Sequence, residues 1–211
     1  MKINETFLSV QGEGILTGLP TYFIRTSGCN LRCSYCDTKY AYMEGKDMTC
    51  SEILKIVRKQ PFKRLCLTGG EPLLQDDSKE LILRLIKEGY QLSIETNGSI
   101  NLNKFPNSKL ILYSVDYKCP SSKEEKSFDQ HNFKFLTKKD QLKFIICNQK
   151  DYNFAKKVIK ENELSLKTNV IISPVWGVNC KFIINSILKD KLDVRLGLQM
   201  HKMIFGNKRS V

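Results

Sequence analysis

Hydrophobic and polar residues follow two alternating patterns along the chain. Short stretches in which apolar residues alternate or run together predict strands, and apolar residues spaced three and four apart predict helices between them. The sequence predicts helices at residues 50–60, 77–88, 151–161 and 180–188. It predicts strands at residues 3–10, 20–27, 64–68, 91–95, 109–115, 140–147, 168–173 and 192–198. Strands that alternate with helices are typical of an α/β fold with a parallel sheet.

Polar or glycine-rich clusters follow several of these strands. Gly69-Gly70-Glu71-Pro72, Thr96-Asn97-Gly98 and Asp116-Tyr117-Lys118 each come at the end of a predicted strand. A parallel α/β barrel builds its site from this end of its strands. With only four helices between them, the predicted strands fall short of a closed eightfold barrel. The predicted fold is therefore a reduced, partly open α/β barrel.

The chain is short enough to form a single domain. Its 211 residues, of which 41% are hydrophobic, suffice for one core, so we expect one domain over residues 1–211. Within it, residues 11–14 form a tight turn flanked by glycine. Residues 118–139 are polar and charged, which predicts a long loop or a mobile lid.

Composition restricts the compartment and the partners. No run of 18 apolar residues exists, and residues 1–10 lack the apolar segment of a signal peptide. Eight cysteines without an export signal indicate reduced thiols and metal ligands in a cytoplasmic protein. The net charge of +12 comes mostly from scattered lysines, which favours a solvated surface. The positive potential of this surface could attract an anionic small molecule, whereas direct binding of nucleic acid is disfavoured.

One short segment carries the strongest chemical signal. Cys29, Cys33 and Cys36 form a Cys-x3-Cys-x2-Cys array. A structural zinc site needs a fourth ligand, but both histidines lie far away in sequence and Cys50 lies at a predicted helix start. A [4Fe-4S] cluster fits the array better, because three cysteines bind three irons and leave the fourth iron open. A zinc knuckle or free thiols remain the alternative.

This array resembles the signature of the radical S-adenosylmethionine (SAM) superfamily, including an aromatic residue, Tyr35, before the last cysteine. The resemblance implies that the open iron binds SAM. One electron then cleaves SAM to methionine and a 5′-deoxyadenosyl radical, which abstracts a hydrogen atom. Gly69-Gly70-Glu71-Pro72 is similar to a segment of the superfamily that contacts the SAM amino group.

Further motifs resemble a narrower family, the 7-carboxy-7-deazaguanine synthases. The matching segments are Gln11-Gly12-Glu13-Gly14, Phe23-Ile24-Arg25, Cys36-Asp37-Thr38, Asp140-Gln141-Leu142-Lys143-Phe144 and Gly206-Asn207-Lys208-Arg209. The resemblance implies a lyase that converts 6-carboxy-5,6,7,8-tetrahydropterin to 7-carboxy-7-deazaguanine and ammonia, on the path to queuosine. It also implies Mg²⁺, a flavodoxin or ferredoxin as electron donor, and a homodimer.

The resemblance assigns roles residue by residue. It implies that Thr38 is a protein ligand of Mg²⁺. The implied SAM contacts are Tyr35, Cys36, Asp37, Gly69, Gly70, Asp116, Tyr117, Lys118 and Ser173. The implied substrate contacts are Gln11, Gly12, Glu13, Arg25, Thr68, His201 and Val211.

Several of these assignments have simpler alternatives. Asp116-Tyr117 replaces the Ser-Pro of many family members, and Ser173 replaces a glutamine, so the SAM contacts there are open. Arg25 could instead form a surface ion pair, and His201 could be structural. For the whole chain, the alternatives are a glycyl-radical activating enzyme, or a non-catalytic iron–sulfur or zinc binding module.

Overall fold

The computed structural model describes all residues from Met1 to Val211 and contains nine strands and seven α-helices. The strands are β1 Lys2–Val10, β2 Pro20–Thr26, β3 Lys46–Asp47, β4 Arg64–Gly69, β5 Gln91–Thr96, β6 Ile111–Tyr117, β7 Gln141–Ile146, β8 Asn169–Pro174 and β9 Arg195–Leu196. The helices are α1 Cys50–Val57, α2 Ser78–Lys87, α3 Asn132–Phe135, α4 Gln149–Glu161, α5 Leu164–Lys167, α6 Cys180–Asp190 and α7 Met200–Phe205.

All nine strands belong to one open sheet. Its order is β3-β1-β2-β4-β5-β6-β7-β8-β9, and every pair from β2 to β9 is parallel. Strand β1 is antiparallel to β2, with Glu5 opposite Arg25. Because β3 and β9 do not pair with each other, the barrel is not closed. The prediction of a reduced, partly open barrel is confirmed.

The strands separate an apolar face from a polar one. In β7, Leu142 and Phe144 are fully buried in the core cluster that the helices also join. The alternate residues, Gln141 and Lys143, are buried on the opposite face, inside the barrel. Side chains of a strand point alternately to its two faces, so a single sequence period produces both the core and a polar interior.

Local signals explain where the helices begin. Thr49 and Glu52 form the capping box predicted for α1, in which each side chain accepts a hydrogen bond from the other residue's backbone N–H. Asn148 caps α4 and Asn179 caps α6, each through its side-chain oxygen. The apolar residues of α1 and α2, such as Ile53 and Leu81, are buried against the sheet.

The structure differs from the expectations at three places. Residues 118–139 contain α3 and bury Phe128, Phe133 and Phe135 in the core, so part of the segment predicted as a long loop is helical and packed. The strand predicted at 192–198 is reduced to the two residues of β9. The short helix α7 was not predicted, because its six residues leave Met203 and Ile204 exposed and show no apolar face.

Candidate active site

The carboxyl ends of the parallel strands surround one cavity of about 750 Å³. This volume lies within the range of small-molecule sites, about 300–1,000 Å³. All but one of the residues assigned from the sequence line it. The exception is Tyr117, whose ring stacks on Phe128 with centroids 4.5 Å apart and on Phe144 at 5.3 Å. The structure therefore places the side chain of Tyr117 in the core and not at the site.

The cysteine loop follows directly from β2 and is held in place by hydrogen bonds and by an aromatic contact. Asn97, at the end of β5, donates to Asn30 Oδ1 at 3.0 Å and lies 3.8 Å from the thiol of Cys29. Arg32 donates to the carbonyl of Cys29 at 2.7 Å, and its guanidinium lies 4.5 Å from the ring centre of Tyr42. These contacts hold the loop at the mouth of the cavity.

The three thiols suit a cluster better than a single ion. Cys29, Cys33 and Cys36 are all free and all line the cavity. A zinc knuckle would draw four ligands around one ion, whereas a four-iron cluster takes each cysteine on a different iron. The donor set and its spacing therefore fit a [4Fe-4S] cluster.

Gly69 and Gly70 bring the end of β4 against this loop. A Cβ at Gly70 would lie 2.1 Å from the carbonyl oxygen of Gly28 and 2.9 Å from the Cβ of Cys29. The neighbouring Glu71 donates its backbone N–H to that same carbonyl at 2.8 Å. Only glycine permits an approach this close. Glycine at this position therefore lets β4 pack directly against the cysteine loop, and Gly69 and Gly70 line the cavity beside the cysteines.

The buried side chain of Glu71 connects the segments that follow β4 and β5. Its buried carboxylate accepts hydrogen bonds from the Thr96 hydroxyl at 2.7 Å, the Asn97 N–H at 2.6 Å and the Leu73 N–H at 3.1 Å. Burial raises the pKa of Glu71 to about 7, although these hydrogen bonds oppose the shift. The carboxylate ties the end of β4 to the end of β5.

A buried ion network forms the floor of the cavity. Lys143 Nζ lies 2.9 Å from Glu95, 3.2 Å from Glu13 and 3.3 Å from Asp116, and its side chain is only 6% exposed. Burial lowers the pKa of Lys143, but the three carboxylates outweigh it and raise that pKa well above its usual value. Asp116 also pairs with Lys118 at 2.7 Å. Two ammonium groups outweigh the burial of Asp116 and lower the pKa of its carboxyl.

The turn at residues 11–14 meets α7 across the cavity. Gln199, just before α7, donates to Glu13 at 2.8 Å, and the Met200 N–H donates to the Gly12 carbonyl at 2.9 Å. A Cβ at Gly12 would lie 2.0 Å from His201 Nδ1, so glycine is required for His201 to reach this position. Burial lowers the pKa of His201, which keeps the imidazole neutral at neutral pH.

Thr38 and Asp37 lie together beside the last cysteine. The Thr38 hydroxyl donates to Asp37 Oδ1 at 2.9 Å, and Lys202 of α7 pairs with the other oxygen of that carboxylate. Burial raises the pKa of Asp37, but Lys202 and Thr38 outweigh it, so the pKa is lowered and the carboxylate stays charged. These oxygen atoms have the chemistry that Mg²⁺ prefers.

Arg25, Thr68 and Ser173 extend from three strands into the same cavity. Arg25 pairs with Glu5 at 2.7 Å inside the barrel rather than on the surface. Val211 lines the opposite side together with the rest of residues 206–211.

Two residues that line the cavity and contact assigned residues have no role implied by the sequence. Lys143 contacts Glu13 and Asp116, and Gln199 contacts Glu13. Lys143 carried a usable signal, since it is the only charged residue of β7 and lies at an inward position of that buried strand. Gln199 carried none, because its partner Glu13 is 186 residues away.

Comparisons with known proteins agree with this geometry. The model of the radical SAM superfamily matches residues 23–161, which is more than half of the chain. A 7-carboxy-7-deazaguanine synthase of Clostridium acetobutylicum is 44% identical over 100% of this chain and 99% of its own length. One of Thermoplasma acidophilum is 39% identical over 98% of both chains.

Solved structures show the same fold. The crystal structure of QueE from Escherichia coli has a TM-score of 0.76 and 22% identity, covering 95% of this chain and 94% of that one. Streptococcus suis SuiB bound to S-adenosylmethionine has a TM-score of 0.60 at 15% identity, covering 82% of this chain and 48% of that one. No helix of this chain is long and apolar enough to cross a membrane.

The fold, the cysteine loop and the family model together define a radical SAM protein. Within that superfamily, full-length relatives at 39–44% identity place the chain in the 7-carboxy-7-deazaguanine synthase family.

Proposed function

We propose that this chain converts 6-carboxy-5,6,7,8-tetrahydropterin to 7-carboxy-7-deazaguanine and ammonia, in the synthesis of queuosine or a related 7-deazapurine. The observation that carries the proposal is a single cavity that joins the cysteine loop to the turn at residues 11–14. Curated relatives that match the full chain carry the name of this activity. The product equals the substrate minus ammonia, so the reaction needs no net oxidant or reductant.

One side of the cavity suits the cofactors. Cys29, Cys33 and Cys36 would bind a [4Fe-4S] cluster, and Gly69 and Gly70 line the cavity beside them, where SAM would bind. When bound, the two cofactors supply the one-electron chemistry that removes a hydrogen atom from the substrate. We assign the remaining SAM contacts to Tyr35, Asp37, Asp116, Lys118 and Ser173, which all line the cavity, and we retain at most a backbone contact for Tyr117.

The opposite side suits a charged pterin. Glu13 can accept hydrogen bonds from a ring N–H and an amino group together, and Gln199 and Lys143 hold its two oxygens in place. Arg25 can donate to a substrate carboxylate. The neutral His201 can accept or donate one hydrogen bond. We assign further substrate contacts to Gln11, Gly12, Thr68 and Val211, which line the cavity between these groups.

An anaerobic assay on cluster-reconstituted protein tests this function. The mixture contains SAM, Mg²⁺, a strong reductant and 6-carboxytetrahydropterin, and the product is identified by mass and ultraviolet absorption. We expect 7-carboxy-7-deazaguanine together with ammonia. Deoxyadenosine without that product would favour a glycyl-radical activating enzyme or another substrate. No SAM cleavage by protein with a full cluster would favour a non-catalytic binding module.

The Mg²⁺ site is proposed at Thr38. Replacing Thr38 with alanine removes a hydroxyl ligand, so we expect Mg²⁺ no longer to stimulate turnover. Thr38→Ser keeps the hydroxyl and should keep most of the stimulation. The Mg²⁺ dependence of the rate is measured for all three proteins. An unchanged dependence in Thr38→Ala would remove this residue from the metal site.

The partners follow from the same chemistry. We propose a flavodoxin or ferredoxin as the electron donor, because the cluster must be reduced by one low-potential electron before SAM can be cleaved. We also propose a homodimer, supported by the exposed apolar residues Leu198, Met203 and Ile204 at and before α7. The eight free thiols support a reducing compartment such as the cytoplasm.

A further inference from the structure

Glu5 lies on β1 and contacts two different parts of the cavity wall. Its side chain is 13% exposed. Oxygen Oε1 accepts from Arg25 Nε at 2.7 Å and from the Tyr40 hydroxyl at 3.3 Å. Oxygen Oε2 accepts from the Ser210 hydroxyl at 2.7 Å. One carboxylate thus joins a strand residue to the last segment of the chain, although they are far apart in sequence.

The contact with Arg25 fixes how that guanidinium faces the cavity. Glu5 takes the Nε–H, and the terminal nitrogens make no other ion pair in the structure. A guanidinium is planar, so a partner at Nε sets the plane of the two terminal nitrogens. Those nitrogens keep the paired geometry that a carboxylate binds best. Burial raises the pKa of Glu5, but Ser210, Arg25 and Tyr40 outweigh it, so the pKa is lowered and the carboxylate stays charged.

The contact with Ser210 holds the tail segment, which we define as residues 206–211. Every residue of this segment lines the cavity. Ser210 to Glu5 is the one hydrogen bond between residues 207–211 and the rest of the chain. Two weaker contacts accompany it. The Arg209 guanidinium lies 3.5 Å from the ring centre of Tyr40, and one of its nitrogens lies 3.8 Å from Glu44.

Tyr40 connects the two halves of this arrangement. Its hydroxyl donates to Glu5, and the guanidinium groups of Arg209 and Arg25 lie 3.5 Å and 5.8 Å from the centre of its ring. A cation over an aromatic face is attracted by the negative potential of the ring. The tail segment and Arg25 therefore share one ring and one carboxylate.

We propose that Glu5 is a positioning residue that couples Arg25 to the tail segment. Glu5 orients the Arg25 guanidinium, which binds the substrate carboxylate, and it also holds the tail segment against the cavity. This inference rests on the proposed function, because it assigns a carboxylate of the substrate to Arg25. Glu5 itself does not touch the substrate. It acts on binding through the orientation of Arg25 and through closure by the tail segment.

The first test measures the tail segment without any substrate. Lys208 and Arg209 are trypsin sites, and cleavage there requires the segment to leave the cavity wall. We expect trypsin to remove the end of the chain about tenfold faster in Glu5→Gln and in Ser210→Ala than in the unchanged protein, as for the loss of one hydrogen bond to a charged group. Intact mass follows the cleavage. The matched control is Glu44→Gln, which alters an exposed contact of the same segment and should leave the rate unchanged.

Coupling is tested by combining the substitutions. If Glu5 acts on the tail segment through Ser210, the double variant Glu5→Gln/Ser210→Ala should be cleaved no faster than Glu5→Gln alone. Additive effects, or the same cleavage rate in Glu5→Gln and Glu44→Gln, would overturn the inference. If Glu5→Gln does not fold, Ser210→Ala and Tyr40→Phe test the same link while leaving the pair of Glu5 with Arg25 in place.

The second test separates binding from turnover. We expect Glu5→Gln to raise KM for the pterin by about tenfold or more and to lower kcat by much less, because the carboxylate site is disturbed while the cofactor side is intact. A fall in kcat with unchanged KM would overturn the positioning role. Absence of any turnover in the unchanged protein would refute the proposed function alone, since the protease test does not depend on it.

Discussion

Replacing Lys143 with methionine is expected to destabilise the fold and to reduce kcat/KM by at least about 100-fold. The substitution leaves Glu13, Glu95 and Asp116 without the ammonium group that lies within 3.3 Å of each. Removing one partner from a buried ion pair costs about 3–5 kcal/mol. Misplacing Glu13, the proposed ligand of the pterin ring, adds a catalytic loss of about two orders of magnitude. Thermal unfolding and steady-state kinetics measure the two effects.

The pH dependence distinguishes a charge effect from a packing effect. Burial raises the pKa of Glu95 even beside Lys143, so without that ammonium group the pKa should lie further above that of the unfolded chain. The penalty for charging Glu95 is then relieved as the pH falls through this raised pKa, and the variant should regain stability on acidification. The matched control is Lys156→Met, which breaks an exposed pair with Asp190 and should cost under about 1 kcal/mol. Equal losses in the two variants, at every pH, would contradict the role of the buried network.

Replacing Gly70 with alanine is expected to abolish loading of the cluster. The new Cβ would lie 2.1 Å from the Gly28 carbonyl oxygen and 2.9 Å from the Cβ of Cys29, so the cysteine loop must move. Gly70 has no positive φ, and the cost is therefore steric. Overpacking of this kind costs about 1–3 kcal/mol. Iron and sulfide per chain after reconstitution give the readout, and we expect both to fall to near zero.

A second glycine provides the comparison. Gly89 follows α2, has φ of +78° and has no atom within 4 Å of an added Cβ. Gly89→Ala therefore costs about 1–2 kcal/mol through its backbone alone. It should destabilise the chain to a similar degree and still bind a full cluster. Full iron content in Gly70→Ala, or an equal deficit in Gly89→Ala, would show that loading follows general stability and not the position of the loop.

Much of the fold and of the site was accessible from the sequence because both depend on local patterns. Strand alternation predicted the parallel sheet, and the cysteine spacing predicted the cluster loop. The same alternation, applied one step further, distinguishes Asp116 from Tyr117. Neighbours on a strand face opposite sides, so when Asp116 points into the cavity, Tyr117 must point into the core. Strand β6 extends to Tyr117, two residues beyond its prediction, and that error in the boundary concealed the distinction.

The remainder of the site depends on contacts that no local pattern records. Gln199 meets Glu13, and Ser210 meets Glu5, across almost the whole length of the chain. Helix α7 is six residues long and carries exposed apolar residues, so it lacks the period by which a helix is recognised. Lys143 alone could have been found, as a cation at an inward position of a buried strand.

The segments that line the cavity are attached in two different ways, and this difference affects how such proteins diversify. The cysteine loop and the glycine segment are held by parallel strands that pair through the backbone, whereas α7 and residues 206–211 reach the cavity largely through side chains. Substitutions in α7 and the tail segment therefore reshape the substrate chamber without disturbing the ladder that serves the cofactors. Related proteins can therefore change α7 and the tail segment and acquire new substrates, while the sheet and the cofactor site stay the same. Unrelated functions commonly arise on a shared fold in this way.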